Sequence, residues 1–97
     1  MSITVTVGKT ASFVVHCHNA AGTDVPDTNG PITVSVDNAL AGSATCHPDG
    51  TNGVFTALLD ATQTCNIVAT DGTLTSAPYP VTLAADVAPA TLTVAAT

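Results

Sequence analysis

The sequence has almost no positive charge and very few aromatic residues. It contains no Arg, no Glu and no Trp, and Lys9 is its one strong base beside seven Asp residues, for a formal net charge of −6. Because phosphate binding requires clustered Lys or Arg, this balance argues against a nucleic-acid partner. It also opposes attraction to an anionic membrane, and no apolar run approaches the roughly 20 residues that span a bilayer. We expect neither nucleic acid nor membrane as a partner.

Leader and catalytic motifs are missing as well. Residues 1–10 alternate in polarity, without the basic segment and continuous apolar segment of a secretion signal, so we expect none in this chain. There is no Gly-x-Ser-x-Gly elbow, His-Glu-x-x-His pair or phosphate-binding glycine loop. With so few cationic side chains, only backbone amides could stabilise a developing anion. We expect no enzymatic activity and no cofactor.

What remains is a chain of short, alternating apolar runs. Its 45% hydrophobic content is almost entirely aliphatic, which suits β-strands, and Gly, Asp, Asn and Pro interrupt the runs about every ten residues. A chain of this length builds one hydrophobic core. The pattern predicts an all-β, immunoglobulin-like antiparallel β-sandwich of about seven strands over residues 1–84. Residues 85–97 are expected to form a linker and one short extra strand.

Two strands carry features that go beyond alternation. The run Val54–Leu59 is apolar on both faces, so we expect it to lie beneath a second sheet or a neighbour. A tight hairpin at Asp71 leads into a last strand over residues 73–83. Within that strand, Pro78 and Pro80 remove backbone donors from one edge, which we expect to accept no full neighbouring strand.

Histidines and cysteines form the one constellation with metal-binding chemistry, because every His adjoins a Cys. The residues concerned are His16, Cys17, His18, Cys46 and His47, with Cys65 further along the chain. Zinc favours such ligands, but strand periodicity places His16 and His18 outside and Cys17 inside, so the six cannot all converge. His16, His18 and His47 remain candidate metal ligands, with solvated surface histidines as the alternative.

Acidic loops offer a second, weaker metal pattern. Asp, Asn and Gly cluster over residues 24–29 and 49–52, where oxygen ligands for calcium could converge. The same residue types are those that tight turns require for local hydrogen bonds and positive φ. Turn formation explains both clusters without an ion.

The order of the strand and turn motifs resembles a known family. Residues 14–26 contain an apolar strand, a turn with Gly22 and a Val-Pro pair, and residues 32–36 form the next apolar strand. Residues 49–58 contain an Asp-Gly turn followed by a strand, and residues 64–81 form a closing hairpin. These motifs resemble the bacterial immunoglobulin-like domains of the invasin and intimin type, which also occur on tailed-phage virion proteins. The insertion at 28–30, the pair Cys46-His47 and residues 84–97 depart from that pattern.

The resemblance implies structural or adhesive work. The primary interpretation is a phage capsid decoration or head-fibre protein on the virion surface, and the alternative is a single repeat of a bacterial cell-surface adhesin. The implied partners are capsid or other virion subunits, further copies of the chain, or a glycan on the host surface. The residues expected to contact a partner are Ile3, Val5 and Val7 of the first strand and Thr91, Leu92, Thr93 and Val94 of the tail.

The same fold raises the question of a disulfide. Cys17 and Cys65 face inward on the two strands that an immunoglobulin disulfide joins, although the usual Trp is absent. Cys46 competes for Cys65, and three cysteines cannot all pair. A bridge between Cys17 and Cys65 and a set of buried free thiols both remain open.

Overall fold

The computed structural model describes residues 2–86 and 91–96, which contain seven strands and no helix. The strands are β1 (Ile3–Thr6), β2 (Thr10–Phe13), β3 (Thr33–Val36), β4 (Gly42–Thr45), β5 (Gly53–Ala57), β6 (Thr64–Thr70) and β7 (Tyr79–Ala84). The prediction of an all-β chain with about seven strands is confirmed. Within this part of the chain, nothing has the helical length and apolar character that crossing a membrane would require.

The strands form two sheets that face each other. One sheet has the order β1-β7-β6-β3 and the other the order β2-β5-β4. Every pair is antiparallel except β1 and β7, which run parallel with Ile3 opposite Val81 and Thr6 opposite Ala84. The predicted sandwich is therefore confirmed, with one parallel pair that the antiparallel description lacks.

The inner faces of the two sheets supply the core. Phe55 of β5 and Val81 of β7 are its largest completely buried side chains. The rest of the core cluster consists of Val5, Val7, Ala41, Ala57, Cys65, Ile67 and Leu83. Period-two alternation decides this membership, since successive side chains of a strand point to opposite faces. Strand β5 shows the rule directly, because residues 53, 55 and 57 are buried and residues 54 and 56 are exposed.

The second apolar face of residues 54–59 is not covered by the described part of the chain. Val54, Leu58 and Leu59 are 37%, 48% and 81% exposed, and β5 ends at Ala57. Of the two expected covers, a second sheet is therefore excluded for this face, and a neighbouring protein stays a prediction. The physical reason is that the two sheets of a sandwich pack against each other through their inner faces. No further sheet is then left to cover an outer face.

A buried carboxylate closes the hairpin between β6 and β7. Asp71 is 7% exposed, and its Oδ1 accepts hydrogen bonds from the amides of Thr73 at 2.8 Å and Leu74 at 2.7 Å. Its Oδ2 accepts a third from Nδ2 of Asn29 at 3.0 Å. The Leu74 amide, the Asn29 side chain and the Thr73 amide together hold the pKa of Asp71 well below its usual range. The predicted turn is confirmed, although β7 begins only at Tyr79.

The proline-bearing edge of β7 pairs with β1 only beyond the prolines, so it accepts no strand along its full length, as expected. The carbonyl of Ala84 accepts a hydrogen bond from the amide of Val7 at 2.9 Å, so Ala84 points to the β1 side. Alternate residues of a strand point the same way, which places Pro80 on that edge too. The β1 ladder starts at Val81, immediately after Pro80.

Candidate functional site

Two exposed histidines that follow β2 in the chain share one carboxylate. Nδ1 of His18 lies 2.7 Å from Oδ1 of Asp24, and Nδ1 of His16 lies 3.5 Å from Oδ2 of the same side chain. The chain turns back on itself here, because the Cys17 carbonyl accepts a hydrogen bond from the Val25 amide at 2.9 Å. This turn brings Asp24 opposite His18. The sequence identified both histidines but missed Asp24 as their partner.

The histidine cluster does not have the form of a metal centre. Both Nδ1 atoms face Asp24, so the rings direct these nitrogens at a carboxylate and not at a common ion. His47 lies in the β4–β5 turn, with its Nδ1 3.5 Å from Nδ2 of Asn52. Within residues 2–86 and 91–96, no group of three or more His, Cys, Asp or Glu side chains is arranged to hold a metal ion. Metal binding by His16, His18 and His47 stays a prediction.

A carboxylate that orients a histidine is also part of catalytic triads, so nucleophiles near this pair matter. Cys17 is adjacent in sequence, but its half-buried side chain lies on the opposite face of the segment from the exposed His16 and His18. In the described residues, no hydroxyl or thiol contacts the second ring nitrogen of either histidine. The pair lacks the nucleophile that triad chemistry requires.

The three cysteines are free in the structure, with Cys65 buried and Cys17 and Cys46 half-buried. Burial raises the pKa of all three thiols, assisted at Cys17 by Asp27 and Asp71 and at Cys65 by Asp37. The thiolate form that reacts is therefore disfavoured.

Cys17 and Cys65 lie near opposite ends of β6, and of the two alternatives that the sequence left open the structure shows free thiols. Cys17 lies beside Asp71, at the end of β6, whereas Cys65 is near its start. Asp71 follows Cys65 by six positions along extended chain, roughly 20 Å at about 3.3 Å per residue. A disulfide requires Cα atoms within about 7 Å, so the sandwich does not bring these two cysteines together.

The sandwich has an apolar cleft between its sheets, at the end where β1 and β7 begin. We call this end the amino end and the opposite one the carboxyl end. The cleft has a volume of about 360 Å³. Its apolar walls are formed by Ile3, Phe13, Val15, Ile67, Ala69 and Tyr79. No charged side chain except His16, if protonated, lines this amino-end cleft.

One wall of the amino-end cleft has an unpaired backbone edge. The carbonyl of Lys9 accepts a hydrogen bond from Ala57, and the amide of Val15 donates one to Gly50, so odd-numbered residues of this segment point toward β5 and its turn. Even-numbered residues then point outward. Neither Val14 nor His16 forms a backbone hydrogen bond within the part of the chain that is described. We call residues 12–16 the open β2 edge.

The tail makes no contact within the described residues that would bury it. Residues 91–96 belong to no strand, and Leu92 and Val94 are 98% and 103% exposed. The expected extra strand is therefore not formed on the chain's own sandwich, while residues 87–90 of the expected linker lie outside the described residues. Of the other predicted contact residues, Val5 and Val7 are buried in the core and unavailable to a partner. Ile3 is half-buried at the amino-end cleft.

Comparisons with known proteins establish the fold. No family model and no curated protein matches the sequence. Among solved structures, the chain is similar to parts of the S-layer protein SbsC. It is 17% identical to the structure of domains 4 and 5, in a match that covers 84% of this chain and 46% of that chain with a TM-score of 0.65. It is also 17% identical to the structure of domains 5–6, in a match that covers 86% of this chain and 39% of that chain with a TM-score of 0.67. It is 18% identical to the structure of domains 4–9, in a match that covers 93% of this chain and 14% of that chain with a TM-score of 0.69.

The chain spans less than half the length of each of these structures. Identities of 17–18% establish a shared fold and nothing finer. The resemblance to invasin and intimin domains stays a prediction.

Proposed function

We propose that this chain is a non-enzymatic structural module of a bacterial cell-surface protein, built to stand in line with neighbouring modules. The observation that carries the proposal is the parallel pairing of β1 with β7. Parallel first and last strands bring the chain in at the amino end of the sandwich and lead it out at the carboxyl end. A module of this kind extends a row without the chain having to double back.

The fold comparison supports the same arrangement. The similar structures are pieces of one S-layer protein that contain two or more domains, and this chain matches a fraction of each. Repeating modules contact chiefly their neighbours, so each needs only end surfaces that suit the next module. The amino-end cleft offers one such surface, and the chain leaves the opposite end of the sandwich toward the exposed tail.

Charge and chemistry agree with a structural role. A net charge of −6 keeps an exposed protein soluble and offers no cationic group for a developing anion. The His18–Asp24 pair has no nucleophile beside it among the described residues. We therefore propose self-association or packing against similar domains as the working interaction, and neither catalysis nor a cofactor.

The virion interpretation rests on the sequence resemblance alone, as does binding of a host glycan. The experiment that separates the two locations is immunogold electron microscopy. Intact cells of the producing bacterium and any phage particles they release are labelled with antibody against the purified 97-residue chain. The control is the same antibody preadsorbed with that chain.

Gold along the cell envelope is the expected result. Gold confined to phage particles would replace the proposal with the capsid alternative. Gold confined to the cell interior would contradict both.

A further inference from the structure

We propose that the tail of one copy, residues 91–96, docks into the amino-end cleft of a second copy and pairs as a strand with its open β2 edge. This deepens the proposed function by naming the partner, and it rests on that function only for the requirement that modules meet end to end.

The tail has the residue pattern of a β-strand that is not paired in a sheet. Its alternation places Leu92 and Val94 on one face and Thr91 and Thr93 on the other, and β-branched residues favour extended backbone. Both apolar side chains are almost fully exposed. An extended segment that docks on an exposed sheet edge gains backbone hydrogen bonds along the edge and side-chain burial at alternate positions.

The open β2 edge can supply those hydrogen bonds, whereas the proline edge cannot. Val14 and His16 present amides and carbonyls outward without backbone partners in the described residues, and no proline occurs from Thr10 to Asp24. Across the cleft, Pro80 lacks a donor on the side that faces β1. The docked strand therefore pairs with β2 and only packs against Tyr79.

Chemistry and direction both favour a second copy as the occupant. The walls are apolar, and the tail from residue 89 to 97 carries no charged side chain, so docking avoids repulsion between chains of equal net charge. The tail leaves from the carboxyl end of its sandwich, whereas the cleft is at the amino end. Contacts of this head-to-tail kind join different surfaces and generate open rows.

Amide hydrogen exchange by NMR on the full chain tests the proposal at low and high protein concentration. We expect the amides of Ser12, Val14 and His16 to gain protection on association, while those of Phe13 and Val15 change little because they already face β5 and its turn. This alternating pattern is specific to strand addition at the open β2 edge.

The matched variants are Leu92→Thr with Val94→Thr, and Leu40→Thr as control. Leu40 is 67% exposed in the loop before β4, far along the chain from the tail. Losing two buried apolar side chains should weaken self-association by at least about tenfold, measured by light scattering, while the control variant associates as the parent does.

Three results would overturn the proposal. Association that leaves Val14 and His16 unprotected would place the contact elsewhere, and protection independent of concentration would show that the tail docks on its own sandwich. A chain that stays monomeric and unprotected up to millimolar concentration would show that the cleft does not take the tail. None of these results depends on where the protein is located in the cell, so the proposed function is tested separately.

Discussion

Phe55 is the side chain on which the core depends most. It is the one aromatic ring with no exposed surface among the described residues, and the core cluster around it is otherwise made of aliphatic side chains and Cys65. Its ring also fits closely over Gly42, where an added Cβ would lie 2.7 Å from the ring Cζ. We expect Phe55→Ala to lower the free energy of unfolding by about 3–5 kcal/mol, through lost burial and a residual cavity.

This loss is a large part of the total free energy of unfolding of the domain. A domain of this length is stable by about 5–15 kcal/mol, so Phe55→Ala removes about a fifth or more of it. Phe55→Leu, which keeps most of the volume, should cost about 1–2 kcal/mol. Leu40→Ala, an exposed control, should stay within about 0.5 kcal/mol of the parent.

Urea unfolding followed by circular dichroism measures these differences. With a slope of about 1.5 kcal/mol/M, the midpoint of Phe55→Ala should fall by about 2–3 M with the slope unchanged. A loss below about 1.5 kcal/mol, or equal losses for Phe55→Ala and Leu40→Ala, would refute the placement of Phe55 at the centre of the sandwich.

Two further predictions concern buried ionisable groups. Asp71→Asn should destabilise the chain more than Asp60→Asn, an exposed counterpart, in urea unfolding at pH 7, because only Asp71 joins two segments. Folding lowers the pKa of Asp71, so the stabilisation by its carboxylate is complete above the unfolded pKa of about 4 and is lost as the pH falls further. The difference in unfolding free energy between the parent and Asp71→Asn should therefore shrink below pH 4. A difference that widens there contradicts the assignment. Thiol labelling followed by mass spectrometry should modify Cys65 only on unfolding and Cys17 and Cys46 sooner, and a Cys17–Cys65 disulfide formed in the native chain under mild oxidant would contradict the placement of the two residues.

Local pattern predicted most of the fold. The alternation at Phe13, Val14, Val15 and His16 indicates correctly which side chains face inward, because the period of a strand follows from backbone geometry alone. The turn at Asp71 follows from residue chemistry in the same way. These features depend on neighbours in sequence, which is why they could be predicted without the structure.

Features that depend on distant residues could not be predicted. Asp71 appears in the sequence as a turn former, yet its third hydrogen bond comes from Asn29, which is 42 positions away. Asp24 joins His16 and His18 only because the intervening loop folds back. Periodicity likewise shows that Cys17 and Cys65 face inward but carries no information on their positions along the sandwich, so the sequence left a bridge and free thiols both open.

The two edges beside the amino-end cleft are protected in different ways. On the β7 side, Pro80 interrupts the donors and β1 covers the edge beyond it. On the β2 side, residues 10–16 contain no proline, and His16 is the only one that can carry charge. Exposed edges of this kind invite unspecific strand addition unless a defined strand covers them.

Net charge makes such addition selective in this chain. Two copies with a charge of −6 each repel at long range, so an approach succeeds where the touching surfaces are uncharged and form many short-range contacts. The tail and the cleft meet that condition. Because added salt screens the repulsion and leaves apolar burial intact, association through them should strengthen between about 0.01 and 0.15 M salt, whereas an interface held by ion pairs would weaken.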